Sequence, residues 1–215
     1  AQILALSGGF SAGDEPDGSG KFIANILREE RIAELVMNLL ENKKGLVLGI
    51  CNGFQALIKT GLLPYGKIKL PTDNSPTLTF NTIGRHISRV VSTKVVSNNS
   101  PWASGLTLGG IYQVPVSHGE GRIVLNREEG LALFENGQVF TQYTDLDGNP
   151  TMEEPWNPNG SKFAIEGLTS PDGLVLGKMG HSERTIPVGK EDSLLINIPG
   201  NKNQNLFQGG VNYFR

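Results

Sequence analysis

The chain has 215 residues, 38% of them hydrophobic, which suffices for one sizeable core and fits a single α/β domain. Its formal net charge of -2 and pI near 6.0 give no electrostatic indication of nucleic-acid binding. The sequence contains no run of 18 apolar residues, so it predicts no membrane-spanning helix. A single cysteine excludes an internal disulfide.

The first third of the chain predicts alternating strands and helices. Gln2 to Leu6 predicts a buried strand that ends in a loop at Gly8-Gly9. Apolar residues then recur at helical spacing between residues 22 and 40, with a charged interruption, which predicts one long or kinked helix. Leu46 to Ile50 predicts the next strand. Because a helix connects these two strands, we expect them to be parallel, with a right-handed crossover.

The remainder of the chain predicts a different arrangement. Residues 78–96 and 111–143 are rich in β-branched and aromatic side chains and predict mixed or antiparallel strands, with a short helix at residues 127–135. Residues 144–161 contain too much Gly, Pro and Asn for regular structure. Residues 174–179 predict another buried strand.

Cys51, the only cysteine, stands between glycines in Gly49-Ile50-Cys51-Asn52-Gly53, where a predicted strand meets a predicted helix. This pattern is typical of a nucleophile elbow with sulfur in place of oxygen, since a Cβ at either flanking position would collide with the sharp turn. The following helix is expected to favour the thiolate. The alternative interpretation is an inert buried cysteine.

His181 and Glu183 follow the predicted strand at residues 174–179 and are two residues apart. A cysteine nucleophile needs a base that takes its proton, and the base needs an acceptor that fixes its tautomer. His181 and Glu183 can supply these two roles. The position after a buried strand and the nearby carboxylate distinguish His181 from an ordinary surface histidine.

Six short segments between residues 8 and 184 identify a family in which they occur in this order. The chain resembles the triad-type (class I) glutamine amidotransferases, and most closely the glutaminase domain of phosphoribosylformylglycinamidine synthase. The Cys-Asn-Gly-Phe-Gln and His-Gly-Glu-Gly-Arg sequences select this branch. The segments are Gly8–Asp14, Gly49–Gln55, Gly61–Pro64, His118–Arg122, Asn157–Ser161 and Gly180–Arg184.

The resemblance implies a three-layer flavodoxin-like α/β fold, with a central, mostly parallel sheet, helices on both faces and a small antiparallel part. Members of the family have a strand, a helix and a further strand-like stretch before the glycine loop. We therefore expect that the N-terminal βα unit is missing. We also expect residues 1–215 to form a single glutaminase domain and to be the C-terminal fragment of a longer synthase.

The resemblance also implies a mechanism. Cys51 attacks the side-chain carboxamide of L-glutamine, His181 passes the proton to the departing ammonia, and Glu183 orients His181. Water then hydrolyses the glutamyl thioester. The backbone N–H groups of Gly9 and Asn52 are expected to stabilise the tetrahedral oxyanion.

Five further residues are predicted to bind glutamine on the strength of the resemblance. Gln55 lies one helical turn after Cys51, on the same face of the helix. The alternatives are that the glycine pair forms only a tight turn, that Gln55 faces solvent, and that the other polar residues belong to an ordinary loop. The predicted residues are Gly8, Phe10, Gln55, Asn81 and Arg85.

His118, Glu120 and Arg122 are predicted to form a second polar cluster. The resemblance places this cluster near the glutaminase pocket and its contact with the synthetase portion, with no bond-making role. The alternatives are a second catalytic dyad or a metal pair formed by His118 and Glu120. We predict no metal site, because two ligands at this spacing lack a recognisable third and fourth ligand.

Ammonia that escaped to water would become ammonium, so the resemblance implies a partner. This would be a synthetase domain or subunit, expected in the same polypeptide, that uses ATP and Mg²⁺ and receives ammonia internally. The present chain lacks a Walker-type phosphate loop, so no cofactor is expected in it.

We expect a cytoplasmic location, because a working thiolate needs a reducing compartment. Another cysteine hydrolase of this fold and a non-catalytic docking domain remain as alternatives.

Overall fold

The computed structural model describes residues 1–10, 18–184 and 204–215. Residues 11–14 of the first matching segment lie outside the described residues. Nine strands occur in the described part of the chain. In chain order they are β1 (Ile3–Leu6), β2 (Leu46–Ile50), β3 (Thr77–Phe80), β4 (Ile87–Val95), β5 (Ile111–His118), β6 (Glu120–Val124), β7 (Val139–Thr144), β8 (Ile165–Thr169) and β9 (Val175–Lys178).

Seven of these strands form one mixed sheet in the order β1-β2-β9-β8-β7-β4-β5, and β3 pairs with β6 separately. The predicted parallel pairing of the first two strands is confirmed. The expectation of a mostly parallel sheet is wrong. Among the six neighbouring pairs of the described sheet, two are parallel and four are antiparallel. Strands β8 and β9 are joined by a short turn, and a short turn permits only antiparallel neighbours.

The helices in the described residues lie mostly in the first third of the chain. They are α1 (Lys21–Arg28), α2 (Glu30–Glu41), α3 (Asn52–Thr60), α4 (Leu62–Tyr65), α5 (Arg127–Glu135) and α6 (Leu206–Asn212). The predicted kink is confirmed at Glu29. This residue has an extended ψ of 130°, and its carboxylate accepts a hydrogen bond from the N–H of Ile32 at 3.0 Å, which caps α2. No helix in the described part of the chain has the length and apolar character needed to cross a membrane.

Strand β2 is the centre of the parallel part of the sheet. All five of its residues are buried, and α3 packs against it. In contrast, β1 is an edge strand with half-buried Ile3, Leu4 and Leu6 and an exposed Ala5, so the prediction that it is buried is wrong. A strand with only one neighbour is covered less completely than a central strand.

The segment between β7 and β8 lacks regular structure apart from one bridge and a 3₁₀ turn, as predicted from its composition. Buried amides hold it in place. The amide nitrogen of Asn159 donates to the carbonyl of Gly121 at 2.8 Å and to the hydroxyl of Tyr143 at 3.0 Å. The amide oxygen of Asn157 accepts from the N–H groups of Gly160 and Ser161. The Asn-Pro-Asn-Gly-Ser segment therefore attaches this loop to the sheet.

Candidate active site

Cys51 occupies a strained turn between β2 and α3, as the sequence predicts. Its φ of 51° is positive, which costs a non-glycine residue about 1–3 kcal/mol and occurs frequently at functional sites. The flanking glycines are required by space. A Cβ on Gly49 would lie 2.5 Å from a methyl carbon of Leu57, and a Cβ on Gly53 would overlap the carbonyl oxygen of Leu6.

The parallel pairing of β2 with β9 brings the turn that follows β9 close to Cys51. This turn, residues 180–184, is the catalytic turn. The N–H of Cys51 donates to the carbonyl of Lys178 at 2.9 Å, and the N–H of His181 donates to the carbonyl of Pro115 at 2.8 Å. A Cβ placed on Gly8 would lie 2.6 Å from Cε1 of His181 and 3.2 Å from Cβ of Cys51. The imidazole and the cysteine are therefore neighbours that both lie close to Gly8.

The imidazole of His181 is held on one side and free on the other. Its Nδ1 lies 2.6 Å from Oε1 of Glu183. Since a carboxylate can only accept, this contact places the ring proton on Nδ1 and leaves a lone pair on Nε2. The Nε2 atom is buried and makes no hydrogen bond to any described residue. Such a ring can receive a proton from a thiol.

Glu183 is suited to remain ionised beside His181. Burial acts to raise the pKa of Glu183, but this effect is outweighed by hydrogen bonds from His181 and from the backbone, together with the charges of His181 and Arg184. The pKa of Glu183 is therefore below its ordinary value. An ionised carboxylate at this position stabilises the imidazolium that forms during proton transfer.

The helix N-terminus favours the thiolate of Cys51 as predicted, but in the free site a larger effect of burial outweighs it. Burial raises the pKa of Cys51 to about 11, although hydrogen bonds from the backbone of Asn52 and Gly9 and the charge of Arg184 act in the opposite direction. Removal of the sulfur from water disfavours its charged form more than the helix N-terminus favours it. Cys51 is consequently a thiol at neutral pH and depends on a base for activation.

The backbone N–H groups of Gly9 and Asn52 are directed at the sulfur of Cys51. A carbonyl carbon bonded to this sulfur would place its oxygen close to the same donors. The geometry is compatible with the predicted oxyanion role, which stays a prediction.

Residues 1–214 match the family of CobB/CobQ-like glutamine amidotransferase domains. The chain belongs to this family.

Individual relatives agree with the family match. Phosphoribosylformylglycinamidine synthase subunit PurQ of Treponema denticola is 35% identical over 225 residues, which cover 99% of this chain and 82% of that protein. The subunit of the same name from Thermomicrobium roseum is 36% identical and covers 90% of this chain and 75% of that protein. A chain in the solved structure of PurLQS from Thermotoga maritima is 28% identical, with a TM-score of 0.70 and coverage of 100% of this chain and 80% of that one.

These findings confirm the family resemblance read from the six segments. The named relatives are subunits, so they give no support to the expectation that a synthetase portion lies on the same polypeptide.

The pocket of this amidotransferase domain contains most of the predicted residues. It is small, with room of about 50 Å³. The predicted residues that line it are Gly9, Phe10, Cys51, Gln55, His118, Glu120 and His181. The lining residues for which the sequence predicted no role are Ser19, Ser117, Gly119 and Arg184.

The contacts of three of these four residues explain why they lie at the pocket. Ser117 is the residue before the end of β5, and its carbonyl oxygen lies 3.8 Å from the sulfur of Cys51. Ser19 reaches the pocket because its N–H and hydroxyl both contact the carboxylate of Glu120, at 3.3–3.4 Å. Arg184 was in a matching segment, and its proximity to Glu183 was the signal that could have identified it.

Gln55 and Glu120 connect different elements of the pocket wall. The side-chain amide of Gln55 donates to the carbonyl of Glu120, while the carboxylate of Glu120 holds Ser19 before α1. Gln55 therefore faces the pocket and not solvent, although one of its donors already has a partner.

Asn81 and Arg85 do not line the described pocket, so their contact with glutamine stays a prediction. The amide of Asn81 donates to the carbonyls of Arg85 and His118, and its oxygen lies 3.2 Å from Nδ1 of His118. Through these hydrogen bonds the side chain of Asn81 stabilises a loop. Arg85 instead lines a separate cleft of about 380 Å³ together with His86 and Arg89. This larger cleft does not include Cys51.

His118 and Glu120 both line the pocket, Arg122 does not, and each of the three has a different hydrogen-bond partner. His118 contacts Asn81, Glu120 contacts Ser19, and the Nε of Arg122 donates to the carbonyl of Phe80 at 2.9 Å. Burial lowers the pKa of His118 to about 4, assisted by the charges of His86 and His181. No group of three or more His, Cys, Asp or Glu residues within the described ranges could hold a metal ion.

Proposed function

We propose that this domain is the glutaminase part of phosphoribosylformylglycinamidine synthase and hydrolyses L-glutamine to glutamate and ammonia. The observation that carries the proposal is the position of Cys51 beside an imidazole whose Nδ1 is hydrogen-bonded to Glu183. Membership of the glutamine amidotransferase family supports the choice of substrate. The names of the PurQ relatives support the choice of synthase.

In the proposed reaction, Nε2 of His181 takes the proton of the Cys51 thiol as sulfur bonds to the carboxamide carbon of glutamine. The carbonyl oxygen becomes an oxyanion that accepts hydrogen bonds from the N–H groups of Gly9 and Asn52. When this intermediate collapses, the imidazolium gives its proton to the departing nitrogen, and ammonia leaves. The remaining glutamyl thioester is then hydrolysed by water, with His181 as the base.

Because the pKa of Cys51 is raised, the proposed reaction depends on His181 to remove the proton of the thiol. A buried thiol at pH 7 attacks only as it loses its proton, so proton transfer and bond formation occur together. The hydrogen bond to Glu183 stabilises the positive charge that His181 acquires in this step.

The small pocket also suggests that glutamine binding requires an adjustment of the wall. Phe10 and Arg184 line the pocket; Phe10 directly follows the glycine loop, and Arg184 is the last residue of the catalytic turn. We propose that the ammonia passes to a synthetase subunit or domain that uses ATP and Mg²⁺ to convert formylglycinamide ribonucleotide to formylglycinamidine ribonucleotide.

Release of glutamate from glutamine, in the presence and absence of the synthetase partner, tests the proposal. The Cys51→Ala variant should release none. Glutamate release that is equal in this variant and the wild type would contradict the proposed nucleophile. If the wild type cleaves other amides or esters but not glutamine, the chain is a different cysteine hydrolase. If it cleaves nothing with or without the partner, it is a docking domain.

A further inference from the structure

A buried ion pair lies behind the catalytic turn and takes no part in the chemistry described above. Glu166 is in β8 and Lys178 is the last residue of β9, and both side chains have 0% exposure. The Nζ of Lys178 lies 3.5 Å from Oε1 of Glu166. Burial lowers the pKa of Lys178, and the charge of Glu166 partly offsets this effect. Lysine and glutamate are almost never fully buried unless they are paired.

The two members of the pair each bind one of the residues that flank His181. Oε1 of Glu166 accepts a hydrogen bond from the N–H of Gly180 at 2.6 Å. The Nζ of Lys178 donates to the hydroxyl of Ser182 at 3.0 Å. The ion pair is therefore attached to the backbone just before the catalytic imidazole and to the side chain of the residue just after it.

The hydrogen-bonding groups of this pair are well matched. An ammonium group has three donors, and Lys178 has three acceptors in Glu166, Ser182 and Gln204, the last at 2.6 Å. The second oxygen of Glu166 accepts from the hydroxyl of Thr141. Each polar group therefore has a partner, which fixes the positions of the two side chains.

Gly180 shows that the carboxylate must approach the turn closely. A Cβ on this residue would lie 2.8 Å from Oε1 of Glu166 and 2.6 Å from a methyl carbon of Val114. The turn thus has a glycine at the point where the buried carboxylate contacts the backbone.

We propose that Glu166 and Lys178 are positioning residues that hold the His181 turn from both sides, so that Nε2 meets the thiol of Cys51. The proposal rests on the proposed glutaminase function. Glu183 holds only the Nδ1 side of the ring, and Nε2 has no hydrogen-bond partner among the described residues. The contacts with the backbone N–H of Gly180 and with the hydroxyl of Ser182 supply the remaining restraint. A well-packed apolar pair could fill the same space without a charge, so filling the core does not by itself explain the ion pair.

The test uses the full enzyme that contains this chain and compares two neutral double variants with the wild type. Glu166→Leu/Lys178→Met removes both attachments to the turn without leaving an unpaired charge. Glu166→Gln/Lys178→Met keeps an acceptor for the N–H of Gly180 and loses only the contact with Ser182. Glutamate release gives kcat and KM, and thermal unfolding reports the folded fraction.

We expect Glu166→Leu/Lys178→Met to lower kcat about 10- to 100-fold, because a small displacement of a catalytic group has an effect of this size. KM should stay within about twofold, because neither residue lines the pocket. Glu166→Gln/Lys178→Met should have an intermediate kcat. The far-downfield proton NMR signal of the His181–Glu183 hydrogen bond should shift in both variants.

Gln138→Leu is the matched control. Gln138 is also buried, and its amide nitrogen donates to the carbonyls of Pro64 and Thr169, away from the catalytic turn. This variant should lose stability and leave kcat and the NMR signal unchanged.

Two outcomes would overturn the positioning proposal alone. One is a wild-type kcat in either folded double variant. The other is a loss of activity equal to the loss of folded protein, with the NMR signal unchanged in the folded fraction. If Glu166→Leu/Lys178→Met does not fold, Glu166→Gln/Lys178→Met must still fall below the wild type. A wild-type enzyme that releases no glutamate refutes the proposed function and the positioning proposal together.

Discussion

Nδ1 of His181 lies 2.6 Å from Oε1 of Glu183, while Nε2 on the opposite side of the ring has no hydrogen-bond partner in the part of the chain that the structure describes. The carboxylate thus selects the tautomer whose free lone pair is on the side of the ring that remains available. Cys51 is next to this ring and is a thiol at neutral pH, since its pKa is raised to about 11. The two residues have unequal roles. His181 moves the proton, and Glu183 orients and stabilises the base.

This division of roles predicts unequal effects of substitution. His181→Ala should lower kcat for glutamate release about 10²- to 10⁴-fold, because it removes the group that carries the proton. Glu183→Ala should leave slower but measurable hydrolysis, about 10- to 100-fold below the wild type, because the imidazole is present but less well oriented. Glu41→Ala, at an exposed site at the end of α2, is the control. Equal activity of all three variants and the wild type would contradict the triad.

The raised pKa of Cys51 predicts slow alkylation of the free enzyme at neutral pH. The rate of reaction with iodoacetamide should rise as the pH approaches about 11, because only the thiolate is an effective nucleophile. Intact mass should show one adduct, and Cys51→Ala should show none, since the chain has a single cysteine. A rate that reaches its plateau below pH 8 would mean that a thiolate already exists in the free site.

The lowered pKa of His118 predicts that the folded protein loses stability as the pH falls. This pKa is lowered from 6.5 to about 4, mainly by burial. Between these pH values the unfolded chain binds a proton that the folded chain does not bind. This residue alone should therefore lower the free energy of unfolding by about 3 kcal/mol as the pH falls from 6.5 to 4. Urea unfolding across this range measures the effect.

His118→Gln is the comparison for this titration. It removes the titrating ring and should flatten the dependence between pH 6.5 and 4, whatever its effect on stability at pH 7. The same steep dependence in this variant would assign the acid sensitivity to another group.

The parts of the site that the sequence predicts are those in which a short segment determines its own geometry. The glycines beside Cys51 are required by one tight turn, and His181 and Glu183 are close enough along the chain to meet within a second turn. The hydrogen bonds of Asn81 to Arg85 and His118 could not be predicted, because these residues meet only when the loop folds against the strand. The same limit applies to Glu166 and Lys178, which meet through the pairing of β8 with β9.

The sheet shows a related limit. Apolar segments predicted most of the strands, and the helix between β1 and β2 correctly predicted a parallel pair. The direction of the later strands depends on which segments become neighbours. The order β9-β8-β7-β4 is not contained in the composition of any one segment.

Gly8 provides a test of the contact between the base and the nucleophile that leaves both residues in place. A Cβ at this position would lie 2.6 Å from Cε1 of His181 and 3.2 Å from Cβ of Cys51, so Gly8→Ala should push the imidazole and the thiol apart. We expect kcat to fall about 100-fold, since a displacement of about 1 Å at the reacting groups has this cost. Gly105→Ala is a matched control, because a methyl group added at Gly105 would meet no atom within 4 Å. Steady-state kinetics combined with thermal unfolding separates the effect on catalysis from the effect on stability. A folded Gly8→Ala enzyme with full activity would show that the imidazole and Cys51 do not need the close approach that glycine permits.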